Sequence, residues 1–200
     1  MTPPEGAALK PRPVEGIDGE ALLRRIAAGE EAAMAELYKN FENPVYRFIL
    51  SRMNDPFEAA DILNEVMLEV WRGAGRFQGR SAVKSWIFGI ARHKTLDRLR
   101  SRQRNAARAG EEPSEDIADE DAVDPTEAIA ATQNAEFVQH CLDKMSAAHR
   151  EVLHLTFFED LTYGQIAEIA GCPEGTVKTR MYHAKRAMQH CLAKLMGRRE

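Results

Sequence analysis

No stretch of this 200-residue chain approaches the apolar length that a membrane-spanning helix needs. Its opening residues, MTPPEGAALKPRPVEG, lack the apolar core of a signal peptide. Together these absences make the cytoplasm the expected compartment and argue against membrane insertion. Cysteine is scarce, with only Cys141, Cys172 and Cys191 and no CxxC pair. That usage suggests reduced thiols in a reducing compartment more than a disulfide framework. A P-loop, a nucleophile elbow and an HExxH zinc motif are all missing, so neither an enzyme nor a bound cofactor is expected. No segment sustains period-two alternation, which removes the signal for strands and leaves an all-α chain as the reading.

With 44% hydrophobic and 29% charged residues, the chain has enough apolar material for one or two small cores, and two are expected. A net charge of −4 looks unsuited to a nucleic-acid partner, yet the sum hides segregation. Arg72 to Arg108 holds eleven Lys or Arg against one acid, Asp97, while Glu111 to Glu127 holds nine acids and no base. Thr176 to Arg199 then holds seven bases and no acid. Two basic blocks separated by an acidic one would meet a polyanion at two places.

Helical start signals divide the chain. Residues 1–17, with four prolines up to position 16, read as a loose tail. Asp18 would cap a helix carrying Leu22, Leu23 and Ile26, ended by Gly29. A second helix from Glu30 would bury Met34, Leu37 and Phe41, and Pro44 is read as opening a third with Val45, Phe48 and Ile49 inward. Asp55 before Pro56 is a cap and first-turn pair, followed by Ile62, Leu63, Val66, Met67, Val70 and Trp71 at helical spacing. The other side of that helix, Asp61, Asn64, Glu65 and Leu68, suits a partner's helix as well as it suits solvent.

After a glycine-rich loop, Ser81 would cap a long helix from Ala82 to about Arg104. Its stripe of Val83, Trp86, Ile87 and Ile90 faces inward, and Arg92, His93, Lys94, Arg98, Arg100, Arg102 and Arg104 crowd the rest. Like charges at this density repel unless a polyanion neutralises them. Phe77, Trp86 and Phe88 stand beside those cations, where unpaired bases could stack, although the spacing of Trp86 also fits plain core packing. Residues 105–124 are rich in alanine and acid without an apolar stripe, the composition of a flexible linker. Asp124, Pro125, Thr126 and Glu127 form a capping box that restarts a helix through Phe137, Val138, Cys141 and Leu142. Ser146 would cap the next helix, carrying Val152, Leu153, Leu155 and Phe157.

The stretch LTYGQIAEIAGCPEGTVKTRMYHAKRAMQ, Leu161 to Gln189, reads as a helix, a glycine turn and a basic helix. Thr162 is the N-cap, Gly171 the left-handed stop, and Pro173 fits the first turn of the second helix. Val177, Met181, Ala184 and Met188 form one apolar stripe, which leaves Lys178, Thr179, Tyr182, His183, Lys185 and Arg186 outside. An ordinary amphipathic surface helix would show the same stripe, but a basic, hydroxyl-bearing outer face also fits the DNA major groove. The adjacent pairs His140–Cys141 and His190–Cys191 invite a zinc reading. Sequence neighbours on a helix diverge by about 100°, so each pair offers one good ligand at most, and no metal site is expected. Small buried apolar groups are the simpler account of Cys141 and Cys191.

The pieces DILNEVMLEVWR, SWIFGIARHKTLDRLR and REVLHLTFFEDLTYGQIAEIAGCPEGTVKTRMYHAKRAM resemble the bacterial extracytoplasmic-function sigma factors, subunits that direct RNA polymerase to promoters. The resemblance covers about Ala32 to Arg104 and Phe137 to Ala193. It implies two small helical domains joined by a flexible acidic linker: a region 2 domain at 18–104 and a region 4 helix-turn-helix domain at 125–200. It implies that Asp61, Ile62, Asn64, Glu65, Leu68 and Trp71 bind the clamp helices of the largest subunit of core RNA polymerase. Phe77, Arg80, Trp86, Arg92, His93, Lys94 and Arg98 would read and open the −10 element, holding the melted non-template strand. Lys178, Thr179, Tyr182 and His183 would read the duplex −35 element, with Thr162, Thr176, Arg180, Lys185 and Arg186 also on that surface and the last three holding phosphates. An anti-sigma factor is the implied regulator. Two positions depart from the family pattern. His93 stands where an asparagine is usual and His183 replaces a common arginine, which alters base preference because histidine offers neither the bidentate amide nor the guanidinium fork.

Two other classes stay open on the sequence. A dimeric repressor that binds operator DNA without polymerase would have no use for the Asp61–Trp71 face. A metal-dependent sensor built on the His and Cys pairs would carry stoichiometric zinc.

Overall fold

The structure, a computed structural model, describes residues 18–109 and 130–196, with side chains over 18–105 and 136–196. The N-terminal tail and the whole acidic segment from Glu111 to Glu127, with the capping box at Asp124, lie outside the described residues. Among the described residues there are eight α-helices, a single 3₁₀ turn at Ala74–Arg76 and no strand. The helices are α1 Gly19–Ala27, α2 Glu31–Met53, α3 Pro56–Gly73, α4 Val83–Ala109, α5 Ala130–Asp143, α6 Ala147–Phe157, α7 Tyr163–Ala170 and α8 Glu174–Met196.

Local chemistry sets most of these boundaries. The Asp18 carboxylate accepts from the Ala21 amide at 3.0 Å and starts α1. Asp55 accepts from the amides of Glu58 and Phe57, which together hold its carboxyl below the usual range and start α3 beside Pro56. The long basic helix starts at Val83, one residue later than Ser81 would set it, with the Ala82 carbonyl accepting from the Trp86 amide at 3.0 Å.

Pro44 corrects the sequence reading: it opens no new helix but lies inside the 23-residue α2. An interior proline removes one backbone bond and costs about 3 kcal/mol. The buried stripe Leu37, Phe41, Val45 and Phe48 runs straight through it at spacings of four, four and three, and this packing outweighs the local cost.

Helices α1 to α4 form one bundle, with Leu23, Leu37, Val45, Ile62, Val66, Val70 and Ile87 fully buried. Phe88, placed beside the cations as a stacking platform by the sequence, is fully buried as well, edge-on to Phe48 at 5.4 Å. Helices α5 to α8 form the second unit around Val152, Leu155, Ile166, Val177 and Met181. The two units touch, α6 against α2 and α7 against α4.

The cysteines depart from expectation. Cys141 on α5 and Cys191 on α8 are joined in a disulfide, Cα–Cα 5.8 Å, leaving Cys172 as the one free thiol among the described residues. They are therefore neither reduced thiols nor separate packing groups. They lie on two helices in contact and 50 residues apart in sequence, so only the docking of α5 on α8 reveals the pair.

Candidate nucleic-acid interface and partner surface

The helix-turn-helix is assembled as its residues dictate. The Thr162 hydroxyl accepts from the Gln165 amide, and the Gln165 side chain accepts from the Thr162 amide at 2.9 Å, a complete capping box. Gly171 takes φ 62°, and its amide returns to the carbonyls of Ala167 and Glu168. Val177, Met181 and Ala184 are buried against the unit's core, which fixes the rotation of α8.

That rotation sends Lys178, Thr179, Tyr182, His183, Lys185 and Arg186 to solvent. Tyr182 is 56% exposed, and its hydroxyl accepts from Arg186 at 3.2 Å, so the two side chains brace each other. Lys185 reaches over the Phe157 ring at 5.7 Å, and Lys178 pairs with Glu174 at 2.8 Å, a contact that raises its pKa. The Thr179 hydroxyl donates to the Gly175 carbonyl at 3.0 Å. Arg180 is half-buried near the Cys172 sulfur, Thr176 is half-buried, and the Thr162 hydroxyl is committed to its cap. His183 stacks on His149 at 6.3 Å; burial first, then His183 and Arg180, lowers the pKa of His149. The face can therefore present a cation pair, an aromatic ring and an imidazole to a groove.

In the first unit, α3 turns Asp61, Asn64 and Leu68 outward, with Leu68 46% exposed. Ile62 does not join them. It is 0% exposed, because it belongs to the Ile62–Val66–Val70 stripe that seats α3 on the bundle, and Trp71 is half-buried for the same reason. Glu65 is exposed but engaged by Arg98 at 2.8 Å and Lys94 at 3.7 Å. The sequence reading missed Phe57, which is 85% exposed. Its signal was available: Phe57, Asp61, Asn64 and Leu68 are spaced four, three and four, so one stripe of α3 runs from an exposed ring to an exposed leucine.

The remaining basic residues line α4 and the loop before it. Phe77 packs on Trp86 at 5.2 Å, and a Cβ at Gly73 would stand 3.1 Å from the Trp86 ring, so this glycine gives the indole its seat. Arg80 is exposed, and His93 is exposed with Nδ1 3.2 Å from Asp97. Trp86, Ile90, His93 and Lys94 form one wall of a cleft of about 580 Å³ whose other wall is Glu168 and Ile169 of α7. Arg92 does not face solvent freely: its Nε donates to Oε1 of Glu151 on α6 at 2.7 Å. The basic residues that the sequence singled out around α4 thus divide into an open part, Arg80, His93, Arg100 and Arg104, a part paired with acids at α3, Lys94 and Arg98 with Glu65 and Arg102 with Asp55 and Glu58, and Arg92, which the second unit covers.

Among the described residues no group of His, Cys, Asp or Glu could hold a metal ion, and no helix is long and apolar enough to cross a membrane. The His140 and His190 neighbours of the disulfide accordingly lack thiolate partners.

Among the described residues the architecture is all-helical, with a basic helix-turn-helix in one unit and a basic helix beside an exposed acidic and apolar face in the other, the build of a DNA-binding protein. The family models make this specific: residues 37–105 match Sigma-70 region 2 and residues 138–188 match Sigma-70 region 4. The chain belongs to the sigma-70 family and, within it, to the extracytoplasmic-function sigma factors of RNA polymerase. It is 28% identical over 182 residues to the ECF RNA polymerase sigma factor SigK of Mycobacterium tuberculosis, covering 88% of this chain and 94% of that one. With the SigK of Mycolicibacterium vanbaalenii it shares 29% over 195 residues, covering 94% and 95%. The fold is similar to that of CnrH in complex with the cytosolic domain of CnrY, with a TM-score of 0.65 at 18% identity over 88% of this chain and 99% of that chain. It is also similar to the sigma factor RpoE in complex with the anti-sigma factor NepR from Bartonella quintana, with a TM-score of 0.61 at 22% identity over 78% and 96%.

Proposed function

We propose that this protein binds core RNA polymerase through the exposed face of α3 and directs initiation at promoters that it holds by a −10 and a −35 element. The observation that carries the reading is the outer face of α8, where Lys178, Thr179, Tyr182, His183, Lys185 and Arg186 are all exposed while Val177, Met181 and Ala184 fix the helix from behind. Reading of the −35 duplex falls to Lys178, Thr179, Tyr182 and His183, and Lys185, Arg186 and Arg180 hold phosphates. The −10 strand falls to Arg80, His93, Arg92, Lys94, Arg98 and the Phe77–Trp86 pair, on which an unstacked base can rest. Each grip need bind only weakly, because docking on the polymerase raises the effective concentration of the second.

Asp61, Asn64 and Leu68, with Phe57 at the end of the same stripe, dock against the clamp helices of the largest subunit. The similar sigma factor RpoE is in complex with the anti-sigma factor NepR, and a regulator of that class is the expected partner here. The sigma subunit itself carries no catalysis in this scheme; the polymerase does. The test is retention of purified core polymerase by the tagged wild type and by the Asp61→Ala, Leu68→Ala double variant, followed by runoff transcription from a randomised promoter library. Loss of core binding in the variant supports the reading, and equal retention of core by both proteins defeats it.

A further inference from the structure

A second cleft, of about 260 Å³, lies where the C-terminal half of α2 meets α5 and α6, on residues that the proposed function leaves without a task. Asn54, Gln139 and Phe158 in its lining are exposed, so the cleft opens to solvent. Three other lining residues carry buried nitrogens with no hydrogen-bond partner: Nε of Arg47, Nε of Arg150 and Nε2 of His154. The His154 side chain is 9% exposed, and its Nε2 stands 3.8 Å from Glu159, too far for a hydrogen bond. Buried polar atoms are costly when unpaired, so three at one cleft ask for a partner that the described residues do not supply.

The charges nearby say which partner. Other cations where the two units meet have carboxylates: Oε1 of Glu151 takes Nη1 of Arg52 at 2.8 Å and Nε of Arg92 at 2.7 Å, and Glu159 takes Lys84 at 3.0 Å. Arg150 reaches Asp143 at 3.8 Å. Arg47 forms no ion pair among the described residues, and Glu159, whose charge it feels, is committed to Lys84. His154 adds no charge, because burial first, then Arg47, Arg52 and Lys84, keeps the imidazole neutral. One half-buried guanidinium is therefore left over, which fits a monoanion. Guanidinium donors match the planar, two-oxygen geometry of a carboxylate. The rest of the lining is apolar, with Leu50, Leu142 and the Phe158 ring, which stacks on His154 at 5.1 Å.

We infer that this cleft is a binding site for a small monocarboxylate with an apolar, ring-sized body. Arg47 and Arg150 hold the carboxylate, and Leu50, Leu142 and Phe158 cover the body, the usual division of a small-molecule site into a few polar anchors and an apolar wall. A bare inorganic anion would leave the apolar wall uncovered, and an uncharged ring would leave Arg47 unpaired. The occupant touches α2 of one unit and α5 and α6 of the other, so a small acid acts on this protein directly, at a place separate from the outer face of α8 and the exposed face of α3.

The experiment titrates the full, isotope-labelled chain with benzoate, benzamide and acetate at constant ionic strength and follows the assigned Nε–H signals of Arg47 and Arg150 by nuclear magnetic resonance. Benzamide keeps the ring without the charge, and acetate keeps the charge without the ring. The expected result is a saturable shift of both signals by benzoate with a dissociation constant of about 1 mM, and at least about ten-fold weaker binding of the other two. Arg47→Gln should weaken benzoate about ten-fold. Leu142→Trp fills the cleft from a half-buried position and should abolish the benzoate shift, which keeps the test decisive even if Arg47→Gln fails to fold. The inference is overturned if benzoate gives no saturable shift or binds no better than acetate or benzamide. Wild-type benzoate affinity in either folded variant overturns it as well.

Discussion

Breaking the Cys141–Cys191 bond by a Cys191→Ala substitution is expected to destabilise the second unit strongly. The bond closes a loop of 50 residues that contains all of α6 and α7. In the chain-entropy account a loop of this length restricts the unfolded ensemble by about 4 kcal/mol. Little is lost from the folded side to offset this, because Cys141 is 1% exposed among apolar neighbours and its freed thiol packs as a small hydrophobe. For a unit of this size each kcal/mol moves the midpoint by about 4–8 °C, so the melting temperature by circular dichroism should fall by more than about 10 °C. Iodoacetamide labelling in denaturant supplies the second readout. Only Cys172 should react before reduction, and all three cysteines after it. Three reactive thiols in the untreated protein, or a midpoint that moves by less than about 3 °C in the variant, would refute the reasoning.

Three further outcomes are expected. His154 is buried beside Arg47, Arg52 and Lys84, and burial first, then those cations, depresses its pKa from 6.5 to about 3; Glu159 at 3.8 Å is too distant to hydrogen-bond and is committed to Lys84. A depressed histidine contributes stability that is full above its ordinary value and is lost as pH falls below it, amounting to about 2 kcal/mol by pH 5. Burial raises the carboxyl of Glu159, which acts in the opposite direction, so the measurement is the difference in urea midpoint between wild type and His154→Phe at pH 7.5 and pH 5; a constant difference contradicts the assignment. Gly171→Ala places a side chain at φ 62° and should cost about 1 kcal/mol with no change in the far-ultraviolet spectrum, whereas a neutral effect would mean the turn is not held left-handed. Lys185→Ala should reduce duplex binding about equally for all sequences and lower the slope of log affinity against log salt by about 1, and an unchanged slope would remove Lys185 from the phosphate contacts.

The features that were legible in the sequence are those with local causes. Asp18, the Asp55–Pro56 pair, the Thr162–Gln165 box and Gly171 act within a few residues of themselves, and each appears in the structure at its expected helix end. The outer face of α8 was legible for a related reason, since the stripe Val177–Met181–Ala184 fixes what must face away. Pro44 misled because its local preference lost to a buried stripe that only the finished bundle rewards. Ile62, which the apolar stripe held and the resemblance placed on the partner surface, is buried, while Phe57, given no role, is exposed: a helix buries whichever stripe has a partner, and the sequence of α3 does not state where α2 and α4 will lie. The disulfide and the Glu151 junction escaped for the same reason at longer range, across 50 residues in one case and 59 in the other. Nothing within a turn of Glu151 or Glu159 marks it as buried.

The Arg52–Glu151–Arg92 group also limits how freely the halves of such proteins can be exchanged. The buried residues of α1–α4 and of α5–α8 form one continuous hydrophobic cluster, so a hybrid joining residues 18–109 of this chain to the C-terminal half of a relative must match both the apolar and the charged parts of the junction. If the donor half lacks carboxylates at the places of Glu151 and Glu159, the hybrid inherits three cations, Arg52, Arg92 and Lys84, without the carboxylates opposite them. Portability of the halves is therefore set by the fit between their inner faces, and a library of hybrids sorted by the charge at those two positions would separate extended molecules from compact ones.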